Sequence, residues 1–175
     1  IDLEEAEPDI SQVGVLIQDT LLNEGFEGGI LPAGWSVTHA GVSSDNFQIG
    51  TAGTLSSPPN FDIPDNGGFF AATNDDACNC DKSDDRLISP SIDLSQVSNP
   101  SLKFDAYLQV NTFFTEVVDI LASTDGGTNW SSIGFLFSPT ANWTTYTLNI
   151  AGLAGNSDVR FAFQYQDGST HGLGF

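Results

Sequence analysis

Along residues 159–166 apolar and polar positions alternate: Val159, Phe161, Phe163 and Tyr165 fall on one side, Arg160, Ala162, Gln164 and Gln166 on the other. A period of two marks a β-strand with one buried face, because successive side chains leave an extended backbone in opposite directions. Residues 144–150 repeat the pattern with Tyr146, Leu148 and Ile150 inward, and residues 102–109 do so with Leu102, Phe104, Ala106 and Leu108 inward. Residues 117–123 and 130–137 flank Thr124, Asp125, Gly126 and Gly127, whose glycines supply the positive φ that a hairpin turn needs. A short apolar strand from Phe69 and a second over residues 86–89 complete the clearer elements. No amphipathic helix of ten residues is visible. Many short strands separated by Gly, Pro and Asn turns predict an all-β fold, an antiparallel β-sandwich or jelly roll. Residues 1–12 carry five carboxylates and a proline within the first ten positions and read as a loose acidic lead-in. Residues 13–175 then form a single domain, without internal repeats.

Between the strand at Phe69 and the strand at Arg86 lies the most unusual stretch, FFAATNDDACNCDKSDDRLISPSIDLS over residues 69–95. Five aspartates and two cysteines crowd residues 74–85. Ordering so acidic a loop is costly unless something cancels its charge. Hard oxygen donors between two strands suit calcium, which takes six to eight oxygens in flexible geometry. A solvated acidic loop is the plain alternative. An EF-hand is excluded, since the loop lacks the glycine at position six and the closing glutamate. Cys78 and Cys80 lie one residue apart. In an exported chain an even count points to a disulfide, here a tiny ring whose use is local shape; two free thiols are the alternative.

Charge narrows the partners. Four Lys and Arg against 23 Asp and Glu leave −19, with a pI near 4.1. Such a surface repels nucleic acid and anionic membranes and favours cations or a salty setting. At 175 residues, with 39 % hydrophobic and 13 Phe, the chain can bury a core. No run of 18 apolar residues offers a membrane span. The sequence holds no Met at all, which leads to the expectation of a mature, secreted or cell-surface chain cut from its precursor.

A search for catalytic groups finds little. Only His39 and His171 are present, neither beside a nucleophile-elbow motif, and surface histidines explain both. Nothing marks a pair of carboxylates for glycoside hydrolysis. Zinc would want more Cys and His at ligand spacing than Cys78 and Cys80 supply. The chain is therefore read as a non-enzyme.

Four motifs in order sharpen this reading: LNEGFEGGILPAGW at residues 22–35, the acidic loop running into LISPSIDL at 87–94, SLKFD at 101–105, and DILASTDGGTNW at 119–130. Together they resemble the cleaved-adhesin and choice-of-anchor J domains, MAM-like jelly rolls of secreted Bacteroidota proteins, over about residues 20–175. The resemblance implies a calcium site where the glutamate of the first strand meets the acidic loop. Carried over by motif, its ligands are Glu27, Asn74 and Asp75, with Asp76 and Asp105 next and Glu24 and Asp119 weaker. Alternation puts Asp105 on an outward face, where it is equally explained as solvated. The resemblance also implies a last strand after a Gly-aromatic pair like Gly174-Phe175. Its absence here is expected to mean a partial record, or an edge filled by a neighbouring strand through self-assembly or strand donation.

Trp35, Trp130 and Trp143 follow turn residues at strand starts and are expected to pack on the core. Phe113 and Phe114, in a loop between strands, are the candidate apolar contact for a ligand. The expectation is an extracellular, calcium-stabilised, non-catalytic binding or adhesion module for a glycan or protein at the cell surface. Two alternatives stand beside it, a structural subunit of a surface layer or filament and an ancillary domain of a secreted protease or glycoside hydrolase.

Overall fold

The computed structural model describes residues 19–39, 46–78, 80–110, 116–168 and 172–175; the acidic lead-in lies outside them. The alternating segments are strands. In chain order they are β1 Ser36–Thr38, β2 Gln48–Gly50, β3 Phe70–Ala72, β4 Asp85–Ile88, β5 Ser101–Ala106, β6 Val117–Ser123, β7 Ser131–Leu136, β8 Thr144–Asn149 and β9 Arg160–Gln166. Two four-residue helices interrupt them, α1 Ala52–Leu55 and α2 Asp75–Cys78. All pairings are antiparallel. One sheet runs β1-β4-β9-β6-β7; β2 pairs with β3, and β5 with β8.

The predicted inward faces build the core of a β-sandwich. Leu87, Val118, Ile120 and Tyr165 of the five-stranded sheet cluster with Leu102, Phe104, Leu148 and Phe163. Phe104 of β5 meets Phe163 of β9 edge to face at 5.0 Å, which locks one layer onto the other. Each fully buried side chain of this kind contributes about 1.5–3 kcal/mol relative to exposure. The β6–β7 hairpin turns at Gly126 and Gly127, both at positive φ, as the sequence requires. Asp125 holds that turn, its Oδ1 accepting from the backbone of Thr128 and Asn129 at 3.1 and 2.9 Å.

Two expectations shift. The strand expected to reach Gln109 ends at Ala106, because Leu108 leaves the ladder to bond Thr140: its N–H donates to Thr140 Oγ1 at 3.0 Å and its carbonyl accepts from Thr140 N at 2.8 Å. Trp130 stands just before β7 and packs on Ile88, Leu121 and Ala162, a small cluster distinct from the main core. Trp35 and Trp143 do join the interior, Trp35 against Phe26 at 5.2 Å and Trp143 against Phe70 at 4.9 Å.

Among the described residues β3 and β5 are each paired along one edge, and their other edges share a partner. Gly174 bridges Asn74, just beyond β3, and Gln109, beyond β5. Phe175 exchanges both backbone bonds with Thr73, at 2.9 and 3.1 Å. A side chain on Gly174 would collide with the Thr73 carbonyl and the Phe61 ring, so only glycine fits that rung. Beyond it the two edges border a cleft of about 1590 Å³, lined by Phe47, Phe61, Phe70, Phe104 and Phe175.

Candidate metal centre

Strand register brings acids together at one end of the sandwich. Asp85 lies opposite Tyr165, and Tyr165 opposite Val118, so all three face inward. Counting by two along each strand puts Asp167 and Glu116 on that same face, one step past the ends of β9 and β6. Asp75 arrives from the first turn of α2, and Lys82 from the loop before β4. All five side chains are buried, between 0 and 3 % exposed.

Each carboxylate is anchored. Glu116 Oε2 accepts from the Tyr165 hydroxyl at 2.6 Å and from Leu173 N at 2.9 Å. Asp167 accepts from Lys82 N at 2.9 Å and from Ser83 Oγ at 3.0 Å. Asp75 accepts from Gly172 N, a close approach for which residue 172 must be glycine, since a Cβ there would overlap the Tyr165 hydroxyl. Asp85 Oδ2 accepts from Thr73 Oγ1 at 3.0 Å and faces Lys82 Nζ at 3.7 Å. The other oxygen of Asp85 is buried with no partner.

Four carboxylates and the Lys82 ammonium are buried together at this end, and His39 also acts on Asp85. Removing such charge from water costs several kcal/mol per ion unless it is paired or neutralised. The titration of Asp75 and Asp85 registers that cost. Burial pushes Asp75 up to about 6, with Asp167 and Glu116 adding to the rise and the Gly172 N–H and Lys82 opposing it. Burial also raises Asp85 against the pull of Lys82, Thr73 and His39. Tyr165 is raised by burial and by Glu116, so its phenol stays protonated and donating.

The donors are of the kind a hard cation takes, all oxygen, with one buried oxygen of Asp85 still to be satisfied. The oxygens surround Lys82 and Tyr165 more widely than a closed shell. Among the described residues the one group of three ligating side chains within 4.8 Å of one another is Asp75, Cys78 and Cys80. Cys78 and Cys80 are joined as a disulfide, so their sulfurs are not the thiolates that a metal would take. The bridge instead fixes the end of α2 beside Asp75.

Of the residues selected from the sequence, Asp75 lies in this cluster. Asn74 is its neighbour, but its amide donates to the Leu55 carbonyl at 2.7 Å while its Oδ1 accepts from Ser57 Oγ and caps α2 at Ala77 N. Asp76 accepts from Asn60 Nδ2 at 3.0 Å. Glu27 is exposed, its carboxylate beside Gly68. Asp105 is exposed on β5 and accepts from Thr145 Oγ1 at 2.5 Å. Phe113, Phe114 and His171 lie outside the described residues. His39 is exposed just after β1. Sequence reasoning passed over Asp85, Glu116 and Asp167. The signal was there: each is an acid in phase with inward-facing apolar residues, Asp85 with Leu87, Glu116 with Val118 and Asp167 with Tyr165.

No family model matches the sequence, and no curated protein matches it. Solved structures do match. The K1 cleaved adhesin domain of Lys-gingipain from Porphyromonas gingivalis W83 superposes with a TM-score of 0.64 at 20 % identity, covering 89 % of this chain and 94 % of that domain. The K3 domain gives 0.59 at 17 % identity over 88 % and 94 %. The K2 domain gives 0.54 at 18 % over 86 % and 94 %. At these identities the likeness is one of fold, and the fold is the one that the four sequence motifs resemble.

Proposed function

We propose that this chain is an extracellular, non-catalytic binding module of the adhesin kind, held together at its acidic end by calcium. The observation that carries the calcium reading is the burial of four carboxylates, Asp75, Asp85, Glu116 and Asp167, at one end of the sandwich, with one oxygen of Asp85 left to be satisfied. A divalent cation offsets the carboxylate charge and takes the free oxygen of Asp85 as the groups close in. Calcium suits the site better than magnesium, which demands a small octahedron and dehydrates reluctantly. Support for the adhesin reading comes from the shared fold and from the names of the domains that share it. No helix among the described residues is long and apolar enough to cross a membrane.

Thermal melting tests the ion. Excess chelator is expected to lower the melting temperature, and calcium but not magnesium to restore it. Calcium at about 100 times its Kd stabilises by about 2.7 kcal/mol, which for a chain of this size is about 5–11 °C. An identical melting curve in chelator and in calcium rejects the ion. Calcium-dependent binding to immobilised glycans and cell-surface proteins tests the module itself.

A second reading, subunit of a surface assembly, is supported by the facing edges of β3 and β5. Those edges are open among the described residues, and a strand from a neighbouring chain would pair along them and border the cleft. Large particles by light scattering at neutral pH would favour that reading over a monomeric module.

A further inference from the structure

The outer face of the five-stranded sheet carries a row of side chains that the acidic end does not use. Register aligns Thr38, Arg86, Gln164, Asp119 and Phe135 on one rung crossing all five strands. Their neighbours in sequence, Leu87, Phe163 and Ile120, point into the core, so this rung points away from it. With strands about 4.8 Å apart, Arg86 and Phe135 stand about 14 Å apart across β4, β9, β6 and β7.

At the β7 end two aromatic rings are open to solvent. Phe135 is 58 % exposed and Phe137 64 %. Their centroids are 5.6 Å apart with planes tilted by 35°, so they form one shallow platform. At the other end the Arg86 guanidinium lies 6.0 Å from the Trp130 ring, and its Nε donates to Gln164 Oε1 at 2.5 Å. Gln164 is held in turn by Asp84, and Asp119 accepts from Gln166 Nε2 at 3.3 Å. The terminal amino groups of Arg86 have no acceptor and no carboxylate partner among the described residues. A fixed, half-buried cation with free N–H donors thus shares a surface with an aromatic platform and an outward carboxylate.

We propose that this face binds a neutral oligosaccharide. Apolar C–H faces of sugar rings would stack on Phe135 and Phe137, and sugar hydroxyls would bond the Arg86 amino groups and Asp119. The chemistry favours this occupant over others. An anionic glycan meets the net charge of −19, with Asp119 directly beside the platform. A protein interface buries about 800 Å² on each side, whereas the other large apolar side chains that are exposed among the described residues, Leu21, Leu22, Ile30 and Phe69, all come from the stretch before β3 and not from this sheet. The proposal rests on the reading of the chain as a binding module and names its ligand class.

Calorimetry with neutral cello-, xylo-, manno- and chito-oligosaccharides of about four to six units, in calcium buffer, tests it. At least one series is expected to bind in the micromolar to millimolar range. Phe135→Ala and Phe137→Ala should each weaken it by about threefold to tenfold, and the double variant should abolish it. Phe69→Ala, an exposed aromatic elsewhere, should leave affinity unchanged, and all four proteins should melt alike. Failure of every series to bind, or equal affinity in the double variant, overturns the proposal. So does a dimer by sedimentation that the double variant dissolves, because the platform then belongs to a second copy. If the wild type and the double variant bind one cell-surface protein equally well, the glycan face falls while the adhesion reading stands. If neither glycan nor protein is bound, both fall.

Discussion

Replacing Asp75 with Asn separates charge from shape at the acidic end. The amide keeps an oxygen to accept from Gly172 N and removes the negative charge. In metal-free protein, burial holds the Asp75 carboxyl near 6 against 3.8 in the unfolded chain. A folded value above the unfolded one means that the charged form is penalised in the native state. The penalty is complete above about pH 6 and is relieved as pH falls from 6 towards 3.8. That gap of about two pH units corresponds to about 3 kcal/mol at neutral pH. Asp75→Asn in chelator at pH 7.5 should therefore stabilise the fold by up to about 3 kcal/mol, or about 6–12 °C in Tm for this length. The difference between the two proteins should shrink as pH falls to 4. Calcium should reverse the order, stabilising the wild type and acting weakly on the variant. Melting both proteins at pH 7.5, 6, 5 and 4, with and without calcium, gives a difference free of the global relief that a chain of charge −19 gains on acidification. A variant less stable than wild type in chelator at pH 7.5, or a difference that ignores pH, would refute the reasoning.

Tyr165→Phe should cost about 1–3 kcal/mol, read by denaturant unfolding, because it removes a hydroxyl that donates to the buried Glu116 carboxylate; unchanged stability would refute the weight given to that bond. Neither heparin nor duplex DNA should bind at physiological salt, as measured by column retention and gel shift, since the surface charge repels both.

How much of this could be read along the chain varies by element. Strands β5, β8 and β9 and their inward faces follow from alternation alone, since the pleat sends every second side chain to the same side. The β6–β7 hairpin follows from Asp125-Gly126-Gly127, because few residues other than glycine take those φ values cheaply. The end of β5 did not follow: only the presence of Thr140 beside Leu108 decides where the ladder stops.

The candidate site divides the same way. Acidity was legible between Asn74 and Asp85, as was the pairing of Cys78 with Cys80. Which carboxylates meet was not. Alternation fixes the face on which Glu116, Asp85 and Asp167 lie, yet their neighbours are set by strand register and by the order β4-β9-β6, over sequence separations of tens of residues. The same holds on the outer face, where Arg86, Gln164, Asp119 and Phe135 share a rung only because four strands stack in that order. Local sequence thus determined the strands, the turns and the charge of this protein. Long-range pairing alone decided which charges were buried together and which rings were left in water.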